Sequence, residues 1–459
     1  MRSSAEHVAA GGSPPGVPFR PAPVRTGAGL WRSTLVPWAA AALAGVAVGL
    51  GVAQPVLLAA GAVLLLGGGT LVAIVRRPEL APTLFWLAFS LQSTVFFGFS
   101  VTGLYYPIYL LMGANALLML GRGRLEVHPR LLPYAAFLLL VLAGLLPIVP
   151  ALTMTGYQRL FIYVIGFLVY FQFPKDRIPV MLVHAQVLAT LAIAGWVILS
   201  SVQGGFGPRG SVGVDQNSVS ELLGFGVIAL MAQLMARALG PLRAVATWLA
   251  VGAGLYAMLL LASRGLGIAI AVVAVMMFAR ILLDARRSVP VAVVALLAGA
   301  ALANLPGSDN LLVRFQSSDV ATANDRLPLW QATLGGIAAS TPTQVMLGHG
   351  FETSKALVQS VRAVLTSTHD AYLQILYEFG VLGLSAFLAI HLALLARFFR
   401  ERSASALYGA GVVAYLLMAD LTVTAPDGFL YWVAIGHLTA LSVALDRVPA
   451  RPALPAEGA

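Results

Sequence analysis

The apolar residues of this chain arrive in blocks, and that feature limits its folds more than any other. Fourteen segments, near 34–51, 55–75, 82–101, 105–120, 132–150, 160–173, 178–202, 218–239, 242–261, 266–283, 289–305, 371–396, 407–424 and 429–445, carry little or no charge. Most are long enough to cross about 30 Å of hydrocarbon. Backbone polar groups in lipid are satisfied only within helices or closed barrels. The chain is 59% hydrophobic and 10% charged, against about 25% charged in an ordinary soluble domain. A soluble enzyme and a disordered chain are both excluded. The expected fold is all-α, a polytopic transmembrane helical bundle of about 12–14 spans.

Between and around these blocks the organisation is legible. Residues 1–33 are rich in Pro, Gly and Arg and lack an apolar run, which predicts a disordered cytoplasmic tail and not a cleaved signal peptide. An N-terminal transmembrane region follows at 34–305, then an outer loop at 306–370, C-terminal spans at 371–445 and a cytoplasmic tail at 446–459. Within the loop, Trp330, Leu334 and Ile337 recur at helical spacing, as do Leu357, Val361 and Val364. Two short amphipathic helices at the outer membrane surface fit that pattern.

The net charge of +10 comes from 28 Lys and Arg against 18 Asp and Glu. With both termini cytoplasmic, every inner connection is basic, and only Arg159, Arg209, Arg264, Arg314, Arg326, Lys355 and Arg362 fall outside. This is the positive-inside pattern, so the charge follows topology and implies no nucleic-acid partner. There is no Cys, which removes disulfides, thiolate metal sites and a cysteine nucleophile. Neither HExxH nor DxD occurs, so nothing calls for a metal, and no cofactor is implied.

The basic residues that break the inside rule mark the candidate chemistry. Arg159 follows Gly156-Tyr157-Gln158, Arg209 lies in the Gly-rich loop before Asp215-Gln216-Asn217, and Arg264 is wedged in Ser263-Arg264-Gly265 between two spans. Each precedes a helix that runs inward, so each is expected at an outward-facing helix N-terminus. Such ends offer unpaired N–H groups and the positive end of the macrodipole, and Arg adds a fork suited to phosphate oxygens. The bland alternative for each Arg is a headgroup contact or a pair with a carboxylate such as Asp215 or Glu221.

A fourth such end opens the run from Ser367 to Gly383. Ser367 and Asp370 have capping-box spacing, which places His369 in the first helical turn, where a neutral imidazole able to accept a proton is favoured. His184, His391 and His437 lie within spans and are expected as buried, hydrogen-bonded residues. His349 in Gly348-His349-Gly350 is a reserve candidate. Glu221, Glu378 and Asp420 stand near outer span ends, where they would pair with arginines or orient a catalytic group.

Assembled in order, these pieces resemble the O-antigen ligase and polymerase superfamily of bacterial membrane glycosyltransferases. The resemblance rests on Arg209 to Asn217, on Ser263-Arg264-Gly265, on Asp325-Arg326-Leu327-Pro328-Leu329-Trp330 ahead of Gly348-His349-Gly350-Phe351, and on the His-x-x-Tyr-Leu and Glu-x-Gly-x-x-Gly run from His369 to Gly383. It covers roughly residues 150–400, the earlier spans matching only as generic membrane helices. It implies an undecaprenyl-diphosphate-linked glycan donor, a glycan or lipid A–core acceptor, and a site facing the periplasm from the inner membrane. Arg264 and Arg326 would hold the diphosphate with Arg209 and Arg159, and His369 would be the general base. Asp215, Asn217, Asp370, Tyr372 and Glu378 would support them.

Two departures from the family pattern stand out. Asp370 follows the histidine where Asn or Ser is usual, and a carboxylate there favours the protonated imidazole. His349 occupies a place usually held by a small apolar residue. The alternatives of other classes are a protein O-oligosaccharyltransferase using the same donor and a transporter or flippase of lipid-linked sugars.

Overall fold

The computed structural model describes residues 73–74, 76–93, 102–122, 126–145, 154–176, 178–202, 216–236, 239–282, 299, 304–306, 326–361, 368–401, 403–421 and 428–447. Apart from Ala73, these belong to the compact unit Ile74–Ala459. Among them every regular element is helical: α1 Leu80–Ser93, α2 Thr102–Gly121, α3 Leu132–Leu145, α4 Met154–Gln172, α5 Met181–Val202, α6 Gln216–Ala236, α7 Pro241–Leu261, α8 Arg264–Leu282, α9 Leu327–Ala338, α10 Pro342–Leu347, α11 Thr353–Val361, α12 Ala371–Phe399, α13 Ala404–Ala419 and α14 Phe429–Arg447. The all-α polytopic bundle is as expected. Among the described residues, five helices are long and apolar enough to cross a membrane by length and composition: α5, α6, α7, α12 and α14.

Eleven of the fourteen apolar segments coincide with these helices; 34–51, 55–75 and 289–305 lie almost wholly outside the described residues, as does the tail 1–33. Among the described residues the loop carries three helices where two were expected. The extra one, α10, starts with a full capping box between Thr341 and Gln344 and stops at Gly348, too short to show a helical period. At the far C-terminus α14 runs on through Asp446 to Arg447, two residues into the predicted tail.

Small residues let the helices approach closely. A Cβ on Gly436 of α14 would lie 2.1 Å from the Gly166 carbonyl oxygen of α4, so backbone packs on backbone there. A layer is also shared by α6, α8 and α13, because a Cβ on Gly411 would meet Ile228 at 2.7 Å, Met277 at 3.3 Å and Val273 at 3.5 Å. From that layer the α6 and α8 N-termini and the α13 C-terminus lie about 12–20 Å away at 1.5 Å per residue. The Ser263–Asn217 and Tyr415–Ser220 hydrogen bonds put all three at the same end of the bundle, called the site end.

At the far end, Asp446 bridges Arg130 (2.5 Å) and Arg397 (2.7 Å), Arg397 also pairs with Glu401 (3.1 Å), and Arg447 pairs with Glu126. These contacts tie together the segment leading into α3 and the last turns of α12 and α14. Exposed pairs of this kind contribute little energy individually, but they fix which helix ends are neighbours.

The unexpected feature is α12. Gly380 breaks it with φ 66° and ψ −168°. The rings of Tyr372 and Phe387 lie 6.2 Å apart, whereas fifteen residues of straight helix would separate them by about 22 Å. Ile375 comes within 3.9 Å of a Cβ on Gly383, eight residues on. The first limb, 371–379, thus folds back on the second, 381–399. Its N-terminus points into the bundle, where the Ala371 N–H donates to the Asp420 carbonyl at 2.9 Å. The expectation of a fourth outward-facing helix N-terminus is corrected: glycine at 380 supplies a left-handed turn that no helical period reveals.

Candidate functional site

The fold-back is held by the loop segment that sequence reasoning treats as a separate motif. Breaking the helix at Gly380 frees the carbonyls of Tyr377 and Glu378 from their usual i+4 partners. The His349 N–H donates to Tyr377 O and the Gly350 N–H to Glu378 O, each at 2.9 Å. A Cβ on Gly380 would lie 2.4 Å from the Met346 carbonyl, and one on Gly348 (φ 83°) would lie 2.1 Å from Glu378 O. Gly348-His349-Gly350 and Glu378-x-Gly380 are therefore two halves of one joint. His349 completes it by stacking on Tyr377 (4.2 Å between centroids) and meeting the Ser340 hydroxyl at 2.7 Å through Nε2. Burial holds its imidazole below the ordinary histidine range.

Glu378 itself is fully buried; its Oε1 accepts from Arg159 Nη1 at 2.9 Å and from the Ser354 hydroxyl, and Oε2 also lies 2.9 Å from Nη1 within the ion pair. The Arg159 guanidinium lies 5.2 Å from the Phe351 ring centroid and 5.5 Å from that of Tyr163, a geometry of cation–π attraction. Arg159 stands in the second turn of α4, which begins at Met154; its expected position at the helix N-terminus is corrected. Gly156 sits inside that first turn as an ordinary helical glycine and does not mark a loop.

The turn before the first limb carries His369. Asp370 is the N-cap, its Oδ1 accepting the Leu373 N–H at 2.9 Å, so His369 precedes the helix. This corrects the capping-box assignment, whose Ser367 lies outside the described residues. His369 adopts φ 53°, an uncommon left-handed conformation for a side-chain-bearing residue. Thr368, fully buried, fixes the turn by donating to Asp370 O at 2.6 Å and accepting the Asp370 N–H at 3.2 Å. Strain of this kind persists only where the surroundings over-determine the backbone.

Arg326 is the residue that starts α9, and its charge acts on the Asp370 carboxyl. Burial raises the Asp370 pKa, and the Leu373 and Tyr372 N–H groups and the Arg326 charge offset part of that rise. Tyr372 spends its hydroxyl on Leu417 O at 2.6 Å, which secures the limb to α13.

Arg264 is the first residue of α8, as expected. Ala262 closes α7 in a left-handed cap (φ 52°), and the Ser263 hydroxyl then donates to Asn217 Oδ1 at 2.9 Å. That bond joins the α7–α8 turn to the first turn of α6. Arg264 and Asn217 therefore share the site end with the floor formed by Ala371 and Asp420. Arg209 and Asp215 lie outside the described residues.

Sequence reasoning places Asp420 and His391 singly but does not link them into the buried array beneath the turn. Asp420, 0% exposed, accepts the Tyr431 hydroxyl on Oδ2 at 3.0 Å, and Tyr431 Oη stands 2.5 Å from His391 Nε2. His391 contacts Phe387 O at 2.8 Å through Nδ1, the buried and bonded state expected for it. The signal available is an acid at the end of α13 and a histidine in mid-span, each costly in lipid without partners.

Taken chemically, the site end offers helix N-termini of α6 and α8, two guanidinium-bearing residues at helix starts, and an imidazole on a strained turn. Anion binding and proton acceptance are what such a set can do. Residues 249–388 match the family model described as O-antigen ligase, and this supports the O-antigen ligase and polymerase superfamily, a class of membrane glycosyltransferases. The matched stretch runs from α7 through α8, the loop helices and the joint into the second limb of α12. No curated protein matches the chain.

Proposed function

We propose that this O-antigen ligase-type protein transfers a glycan from undecaprenyl diphosphate to an acceptor hydroxyl, a lipid A–core sugar or the end of a polysaccharide, on the outer face of the inner membrane. The observation that carries the reading is that the α6 and α8 N-termini and the floor under His369 lie at one end of the bundle, with the Arg326 charge acting on Asp370 beside that histidine.

In this reading the polyprenyl tail stays in the bilayer and the diphosphate meets Arg264 and Arg326, with Arg209 in reserve. Charge grows on the diphosphate as the sugar–phosphate bond breaks, and fixed guanidinium groups and helix ends stabilise it. His369 takes the proton of the acceptor hydroxyl as the oxygen attacks the anomeric carbon, so the sugar inverts in a single displacement without a metal. Asp370, Tyr372 and Asn217 hold the turn and the helix ends in place. The ion pair with Glu378 favours an anchoring role for Arg159 over a diphosphate contact.

Incubating the purified protein with a diphosphate-linked oligosaccharide and candidate acceptors, then separating products by size, tests this. One heavier product marks ligation, a ladder marks polymerisation, and modified protein marks a protein acceptor. Arg264→Ala and Arg326→Ala should each lower transfer by about 10²–10³-fold, and His369→Ala by about 10²–10⁴-fold. Full transfer by any of the three in a correctly inserted protein would overturn the residue roles. Lipid movement without a new glycosidic bond would favour a transporter.

A further inference from the structure

At the far end of the bundle, α4 stops at Gln172 and the chain turns through 173–176. Lys175 lies over that helix end, donating from Nζ to Tyr170 O at 2.5 Å and to Phe173 O, with the ammonium 4.1 Å from the Tyr170 ring centroid. An ammonium carries three donors, so one remains. Among the described residues it makes no ion pair within 4.0 Å, and burial pushes its pKa down to about 7. A partly buried cation held only by carbonyls is costly and is stabilised by an anion.

That ammonium lines a cavity of about 270 Å³, with Arg447, Glu126, Asp176, Met119 and Phe171 among the other walls. The space suits a polar headgroup rather than a single water. Two cations and two carboxylates make it neutral overall, with Arg447 paired to Glu126 and Lys175 and Asp176 completing the charged wall. Met119 belongs to α2, whose neighbouring Leu117, Leu118 and Leu120 are 69%, 55% and 58% exposed. A charged pocket at a span end therefore opens beside an apolar wall of the kind that faces hydrocarbon.

We propose that this cavity is a binding site for a zwitterionic phospholipid bearing a primary ammonium, the phosphate meeting Lys175 and Arg447, the ammonium meeting Glu126 and Asp176, and the acyl chains lying along α2. A quaternary ammonium cannot donate to the carboxylates, and an uncharged glycerol headgroup leaves them without a cation. The site lies at the opposite end of the bundle from His369 and is independent of the transfer chemistry.

Full-length protein in nanodiscs of phosphatidylethanolamine, phosphatidylcholine and phosphatidylglycerol, mixed in equal parts, is then released into detergent and weighed by native mass spectrometry. Phosphatidylethanolamine should be retained at least 10-fold over the other two. Lys175→Met should abolish that retention, Lys175→Arg should keep it, and Glu126→Gln with Asp176→Asn should shift retention toward phosphatidylglycerol. Soluble phosphoethanolamine should compete only weakly, because it lacks the chains. Equal retention of the three lipids, retention unchanged in a folded Lys175→Met protein, or complete displacement by inorganic phosphate would each overturn the proposal. Should Lys175→Met not fold, the Glu126→Gln, Asp176→Asn protein decides by whether the lipid preference changes.

Discussion

The Arg159–Glu378 pair allows a prediction that separates anchoring from substrate contact. Its side chains are 11% and 0% exposed, both carboxylate oxygens lie 2.9 Å from Nη1, and Tyr163 and Phe351 wall the guanidinium. Removing one partner of such a pair strands a charge away from water, at a cost of about 3–5 kcal/mol. Against a total stability of about 5–15 kcal/mol for a typical domain, that loss is large. Glu378→Gln should therefore lower stability by about that amount, as should Arg159→Met. Combining them removes both charges, while the amide oxygen introduced by Glu378→Gln can still accept the Ser354 hydroxyl. The double variant should be more stable than either single one, the mark of direct coupling. Thermal unfolding in nanodiscs gives the stabilities, and glycan transfer measured on the same samples gives the function. If Arg159 anchors the first limb of α12, activity returns with stability in the double variant. If it grips diphosphate, the double variant regains stability and stays inactive. Single-variant costs that simply add would refute the reasoning altogether.

Three further outcomes follow from the same structure. Gly380→Ala should abolish folding, since its Cβ would lie 2.4 Å from the Met346 backbone at φ 66°, while Gly113→Ala, with nothing within 4 Å, should change stability by no more than about 1 kcal/mol; equal yields of the two purified variants would contradict this. Asp370 has its pKa raised by burial, so the folded state disfavours the carboxylate and stability falls as pH rises from the unfolded value through the folded one. Asp370→Asn keeps an acceptor for the Leu373 N–H and should be as stable as wild type at neutral pH, with a flat profile across that window; a loss above about 1 kcal/mol by thermal unfolding would count against it. For Lys175, the folded pKa of about 7 lies below an unfolded value of about 10.4, so only the unfolded chain keeps the proton between them. Stability in lipid-free detergent should then rise with pH from about 7 to about 10, and Lys175→Met should remove the rise.

The spans are legible in the sequence because each apolar block is long and bounded by Pro, Gly or Arg, signals that act locally. Arg264 is placed correctly for the same reason: Ser263-Arg264-Gly265 leaves no loop between two blocks, so the arginine has to start α8. Arg159 is misplaced by sequence reasoning because a glycine three residues earlier imitates a loop, while tertiary packing carries the helix back to Met154. The fold-back of α12 is beyond the reach of local pattern. Its first limb and second limb form one apolar run, and only the insertion of residues 346–350 distinguishes a turn at Gly380 from a tolerated mid-helix glycine. The Asp420–Tyr431–His391 array is equally hidden, since its members come from three helices and no spacing relates them.

The reversal at Gly380 sets the reach demanded of anything that meets His369. Nine helical residues, 371–379, descend from the rim to the turn, a drop of about 13 Å. Under the proposed transfer, a lipid-tethered diphosphate approaches that turn from the leaflet, and a water-borne acceptor has to extend about 13 Å past the level of Gly380 to meet it. In that same proposed transfer, the depth favours the free tip of an acceptor chain over the flank of a long polymer.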